Sequence, residues 1–205
     1  MKVLFCKCAW MNKYQGPANE NDDRIVGGGS YVDETGEGGE QNNFIIHEDN
    51  RLRGYVYPKG YTDKYGENKV RKINLERICK SAKNKEKVEG VLVVWAATHP
   101  DEEGSRVIGW YKNATVYREF TGDQYNEYYN VIADFKDCVL ITNPNNRKVE
   151  IPKASNDVFG FGSALYRFTD EETSKEKVNE IIEYIEWYEE NAHDPIWLSD
   201  EYILN

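Results

Sequence analysis

Gly90-Val91-Leu92-Val93-Val94-Trp95-Ala96-Ala97-Thr98, a polar stretch over residues 99–105, and then Arg106-Val107-Ile108-Gly109-Trp110-Tyr111-Lys112-Asn113-Ala114-Thr115-Val116-Tyr117 decide how this chain folds. Both runs are rich in β-branched and aromatic residues, which fit a pleated surface better than a helix. The short link between them, with Pro100, three acids and Gly104, is a turn. The pair therefore predicts an antiparallel hairpin with the stretch 91–97 buried. That apolar run of seven residues falls far short of the roughly 20 that a membrane-spanning helix needs.

Outward from the hairpin, residues 2–10 alternate as a strand, which puts Cys6 and Cys8 on one face with Leu4. Residues 44–46 and 53–57 are predicted as short strands flanking a turn, 128–135 and 138–142 as further strands, and Pro144-Asn145-Asn146 as a turn. Asn74 is placed as the cap of a short helix carrying Leu75, Ile78, Cys79 and Ala82 on one face. Thr173-Ser174-Lys175-Glu176 has capping-box form ahead of Val178, Ile181, Ile182, Ile185 and Tyr188 at helical spacing. The opposite side of that helix, with Glu176, Glu180, Glu183 and Glu186, is a solvated face. Residues 15–43 hold Gly16-Pro17, Gly27-Gly28-Gly29, Gly36, Gly38 and Gly39 without GxxxxGK[ST], so they are a surface loop or one that orders on a ligand. Strands lead and no βαβ alternation occurs, so the fold class is α+β, built on a curved, partly closed mixed sheet with a few short helices.

Leu, Ile, Val and Phe make up 45 of the 205 residues, enough for a folded domain. The net charge of −10 resides entirely in residues 168–205, and residues 1–167 are neutral. Acidity therefore does not argue against an anionic partner for the larger part, though it excludes a uniformly basic binder. The expected organisation is one domain over 1–167 and an acidic helical segment over 168–205, packed on it or leading to a further domain. The untidy end at 202–205 favours a longer parent. Residues 1–7 break their apolar run too early for a secretory signal, which points to the cytoplasm. Cys6, Cys8, Cys79 and Cys138 form no CxxC pair, and His47, His99 and His193 have no zinc-ligand spacing. Reduced, buried thiols and no metal or cofactor are expected.

Residues 107–118 concentrate three large aromatics, an amide, a hydroxyl and two cations. On a regular strand Trp110 and Lys112 share one face, and Tyr111 and Asn113 the other. Base recognition asks for a flat ring, polar groups for the base edge and cations for phosphates. The competing reading is core aromatics with surface cations. Trp10, Met11 and Tyr14 offer a second wall. A nucleolytic alternative rests on Pro100-Asp101 and Asp134-Phe135-Lys136, loosely of PD…(D/E)xK form, with Mg²⁺ on Asp101 and Asp134 and Lys136 near the attacking water. His47-Glu48-Asp49 is a polar turn, and Gly160-Phe161-Gly162-Ser163 either rims a pocket or caps a strand.

The segments 3–14, 91–98 and 107–117 together resemble the PUA-like superfamily, which includes the EVE, YTH and SRA-like modified-base readers. Asp137-Cys138-Val139-Leu140, Asn146-Arg147, Ile151-Pro152 and Gly160-Phe161-Gly162-Ser163-Ala164-Leu165-Tyr166 look like a bacterial domain associated with restriction and defence. The chain is longer than EVE and YTH domains, and Gly109 is followed by Trp110 rather than a small or aliphatic residue. The resemblance implies a PUA-like barrel that holds a flipped base. The expected pocket residues are Trp10, Tyr14, Trp95, Trp110, Tyr111, Asn113, Thr115 and Tyr117, and the expected phosphate contacts are Lys69, Arg71, Lys72, Lys112 and Arg118. The implied partner is nucleic acid with a modified base, DNA rather than RNA, alongside an effector nuclease or NTPase domain and no membrane. A protein-interaction module using the acidic helix is the third reading.

Overall fold

The computed structural model describes residues 1–16, 23–27, 30–122, 128–155, 159–162, 166–169 and 175–191. In chain order the elements are β1 (Val3–Cys8), α1 (Ser30–Thr35), β2 (Arg51–Gly54), β3 (Gly60–Thr62), β4 (Asn68–Val70), β5 (Lys87–Thr98), β6 (Ser105–Thr121), β7 (Tyr129–Asp134), β8 (Cys138–Leu140), β9 (Glu150–Ile151), β10 (Tyr166–Phe168) and α2 (Lys175–Asn191), with short 3-10 turns between them. Eight strands make one mixed sheet in the order β10-β1-β5-β6-β7-β2, with β8 and β9 also paired to β6. Among the described residues this order does not return on itself. Strand β1 runs parallel to β5, and the other pairings in the sheet are antiparallel.

The apolar run 91–97 is continuous because β5 is covered on both faces. Val91, Val93, Trp95 and Ala97 join one core layer, and Val94 and Ala96 the other. Strand β1 alternates in step: Leu4, Cys6 and Cys8 face the first layer, Val3 and Phe5 the second. Met11, Tyr14, Phe44, Ile73, Leu75 and Ala82 are among the residues that join the first layer from outside these strands. Helix α2 covers the second, burying Ile181, Ile185 and Tyr188 as its spacing predicts. All four cysteines are free, with Cys6, Cys8 and Cys138 buried. Among the described residues no helix is long and apolar enough to cross a membrane.

The β5–β6 hairpin forms as expected, with departures from regular pairing that matter for the site. Val91 pairs with Ala114 and Val93 with Tyr111, so β6 carries one extra residue there, and Asn113 adopts φ +53°. Val88 pairs with Val116, so β5 takes an extra residue in turn, at Gly90 with φ +68°. These are β-bulges, which bend and twist a strand. Regular alternation past Lys112 therefore fails: Tyr111, Ala114 and Val116 all face the first core layer.

Other expectations need correction. The helix predicted after Asn74 is two 3-10 turns, Leu75–Arg77 and Lys80–Ala82, because Cys79 is extended (φ −150°, ψ 113°) and the Asn74 side chain makes no capping bond. Residues 44–46 are a turn with one bridge residue rather than a strand. Residues 15–43 include α1, a 3-10 turn at Gly39–Asn42 and a bridge from Trp10 to Val26. Strands β3 and β4 form a separate hairpin that the polar sequence of residues 58–72 concealed. Pro17, Gly28, Gly29, residues 163–165, Thr173, Ser174, His193 and residues 202–205 lie outside the described residues.

Gly109 lets β8 approach β6. A Cβ at this position would sit 2.3 Å from the Val139 carbonyl oxygen and 2.9 Å from the Phe44 ring. Gly109→Ala should destabilise the fold by about 1–3 kcal/mol or more in urea unfolding. Gly162→Ala, where a Cβ meets no heavy atom of the described residues within 4 Å, should stay within about 0.5 kcal/mol of wild type.

Candidate functional site

The aromatic residues singled out in the sequence do not converge on one pocket. Trp110 is fully buried under α2, edge-on to Tyr188 at 5.5 Å, and its Nε1 donates to Glu189 at 3.0 Å. Tyr111 and Trp95 are buried in the opposite core layer, 5.3 Å apart. Trp110 and Tyr111 are thus separated by the sheet and form no common wall. Asn113 is exposed at the bulge, its Nδ2 3.4 Å from Asp137, and half-buried Thr115 pairs with Ile132 of β7.

Trp10 and Tyr14 belong to a knot beyond the end of β1. Arg147 holds it together by donating to the carbonyls of Ile141, Met11 and Asn12, with its guanidinium 4.8 Å over the Trp10 ring. His99 meets that ring edge-on at 4.9 Å. The Asp23 carboxylate accepts the backbone N–H groups of Asn12, Lys13 and Tyr14, and the Tyr14 hydroxyl donates to the Ala9 carbonyl. Polar groups here are matched to one another, so the knot fastens the loop to the sheet. Beside it, burial pushes the Glu40 carboxyl up to about 7, against the Ala9 N–H that it accepts at 3.3 Å.

Most of the expected phosphate contacts already have anionic neighbours. Lys112 pairs with Glu189, Lys72 with Glu119, and Lys69 with Asp63 and Glu67. Arg118 binds Glu76 through two parallel bonds of 3.0 Å and donates to the carbonyls of Ala82 and Lys85. This guanidinium holds the Glu76 carboxyl below its usual range. Arg71 lies 5.5 Å over the Tyr61 ring. The nucleolytic set is also dispersed in the fold. Asp101 sits in the β5–β6 turn, Asp134 ends β7 and pairs with Arg51, and Lys136 lies in the 3-10 turn that follows. Among the described residues no group of three His, Cys, Asp or Glu side chains is placed to hold a metal ion.

Tyr117 and Arg118 do come together, in an open cleft of about 680 Å³ between the far half of β6 and the 3-10 segment. Asn84, Lys85, Glu76 and Phe120 line it with them. Arg118 fixes one wall to the other through the bonds just described. Phe120 also stacks on Tyr55 (4.9 Å, 16° between planes), and Tyr55 lies nearly parallel to Tyr57 (6.5 Å, 14°). All three rings are half-buried. The series leads to the β3–β4 hairpin: a Cβ at Gly60 would sit 2.8 Å from the Tyr57 hydroxyl. At the hairpin's other root, the Ile73 N–H donates to the Arg118 carbonyl. The cleft, the stacked rings and the hairpin therefore form a continuous surface of aromatic, amide and charged groups, the cleft itself setting Lys85 and Arg118 against Glu76, Glu86 and Glu119.

Of the residues at the cleft and the stacked rings, the sequence singles out Tyr117 and Arg118 but not Phe120, Tyr55, Tyr57, Asn84 or Lys85. One signal was available, the alternation Tyr55-Val56-Tyr57 with Val56 buried between two half-exposed rings. The Phe120–Tyr55 stack is a long-range contact without a local pattern. A scan against protein-family models and searches of curated proteins and of solved structures return no match.

Glu40 gives the knot a measurable pH dependence. Its folded-state pKa lies above its ordinary value of 4.5, so its contribution is fully present below about 4.5 and is lost as pH rises through about 7. Glu40→Gln should match wild-type stability at pH 4.5 and exceed it at pH 8, by up to roughly 3 kcal/mol. Chemical denaturation at the two pH values measures this.

Proposed function

We propose that this chain is a nucleic-acid-binding module that reads a base in the cleft between β6 and the 3-10 segment. The observation that carries the reading is continuity: Phe120 lines the cleft and is also the end ring of the Phe120–Tyr55–Tyr57 series. A base seated beside Phe120 would extend a stack that already exists. Tyr117 supplies a second ring, the Asn84 amide can meet a base edge, and Lys85 can meet the backbone. A volume near 680 Å³ is of the size that small-molecule pockets have.

Flipping a base from a duplex costs a few kcal/mol. Stacking returns about 1–3 kcal/mol per ring, so two rings and an edge contact suffice. A modified base is the target we favour, because the segments 3–14, 91–98 and 107–117 resemble the PUA-like modified-base readers. On this reading the mixed sheet is a PUA-like barrel variant, and the module works in the cytoplasm on DNA. It would be the recognition part of a restriction or defence system, with the cutting or NTP-driven chemistry in an effector domain. Arg118 then acts as a positioning residue that holds the cleft walls together, not as a phosphate contact.

Titrations of modified and unmodified duplexes at several salt concentrations test the reading. Wild type should prefer one modification. Tyr117→Ala and Phe120→Ala should lose most of that preference with an unchanged salt slope. Lys85→Ala should weaken all duplexes alike and flatten the slope by about one unit. Absence of any preference across the panel would defeat base reading, and metal-dependent cutting abolished by Asp134→Ala would replace it with the nucleolytic alternative.

A further inference from the structure

We propose that the β3–β4 hairpin is a second nucleic-acid contact that takes an unpaired strand; the inference rests on the nucleic-acid reading but on different residues. Residues 58–72 contain five cations and two acids, a net charge of +3 in a chain of net −10. Apart from half-covered Gly60, every residue of the two strands is exposed. Tyr65 is 76 % and Tyr61 42 % exposed, so both rings are open to a ligand.

Each ring carries a cation. Lys64 lies 4.9 Å from the Tyr65 centroid and Arg71 5.5 Å from that of Tyr61. Exposed rings alternating with cations are the chemistry of single-strand platforms: the rings stack on bases that have left the duplex, and the cations follow the backbone. A duplex offers its bases only at their edges, so it could use the cations but not the rings.

A two-stranded hairpin is marginal in water, and this one is held at its tip. The Asp63 carboxylate accepts from the N–H groups of Tyr65 (2.8 Å) and Glu67 (3.0 Å) and from Lys69 Nζ (2.6 Å). Gly66 supplies the left-handed residue, φ +83°. The turn thus presents Tyr65 outward in a fixed position, which lowers the ordering cost of binding. The strand would run from the tip along Tyr61 to Tyr57 and the cleft, so a flipped base and its displaced neighbours would meet one surface.

The test is fluorescence anisotropy with the full chain, labelled oligo-dT of 20 nucleotides as single strand, and the matching dA·dT duplex. The double variant Tyr61→Ala/Tyr65→Ala should bind the single strand roughly five-fold or more weaker, the lower end of one base–aromatic stack, with duplex binding unchanged. Lys64→Ala and Arg71→Ala should weaken both and reduce the salt slope. Equal weakening of single strand and duplex by the tyrosine variant would overturn the unpaired-strand assignment. No weakening of either, or no single-strand binding by wild type, would overturn the contact altogether. Circular dichroism and the urea midpoint of the tyrosine variant, both expected at wild-type values, separate a lost contact from a lost fold. The cleft is judged separately on the modified-duplex panel, so either site can fail without the other.

Discussion

The 17 residues of β6 must satisfy backbone hydrogen bonds along two edges, and no neighbouring strand is long enough to take a whole edge alone. One edge goes to β5 from Ser105 as far as Tyr117. The other is shared in succession by β9 at Ser105 and Arg106, β8 from Gly109 to Tyr111, and β7 from Thr115 onward. Passing from one partner to the next requires the strand to bend, and the bulges near Ile108 and Asn113 are where it does so. Gly109 removes the side chain that would collide with β8. The cleft lies beyond the bulge, where the far half of β6, still paired with β5 as far as Tyr117 and with β7, also meets the 3-10 segment, with Arg118 joining the two.

The same geometry separates charge. Helix α2, with six acids and two lysines, covers the sheet face that carries Trp110 and draws Lys112 toward it through Glu189. Ile73, Leu75 and Ala82, which flank the cleft and the root of the basic hairpin, pack on the other face. The acidic helix therefore lies on the far side of the sheet from the cleft, whose own lining is mixed, with Lys85 and Arg118 beside Glu76, Glu86 and Glu119, so the net cationic charge on this side comes from the hairpin.

Legibility in the sequence followed physical range. The β5–β6 hairpin, the shared face of Leu4, Cys6 and Cys8, and the buried stripe of α2 were readable because each rests on a local period. The helix expected after Asn74 was misread because the apolar spacing at Leu75, Ile78 and Ala82 also suits two 3-10 turns broken at extended Cys79. Trp110 and Tyr111 drew attention by composition, but an aromatic name does not reveal burial, and both rings are fully covered. Asn113 hid the most: one left-handed residue puts Ala114 and Val116, rather than Asn113, on the face of Tyr111. The β3–β4 hairpin was unreadable by hydrophobic pattern because its order comes from the hydrogen bonds of Asp63.

The central claim is that one nucleic-acid path crosses the cleft, the stacked rings and the hairpin. Ultraviolet crosslinking of the bound complex, with the adducts mapped to residues by mass spectrometry, tests it most directly. The account predicts adducts on Tyr117 or Phe120 together with Tyr61 or Tyr65. Adducts confined to the outer face of α2 at Trp187, or to the knot around Trp10 and His99, would contradict it.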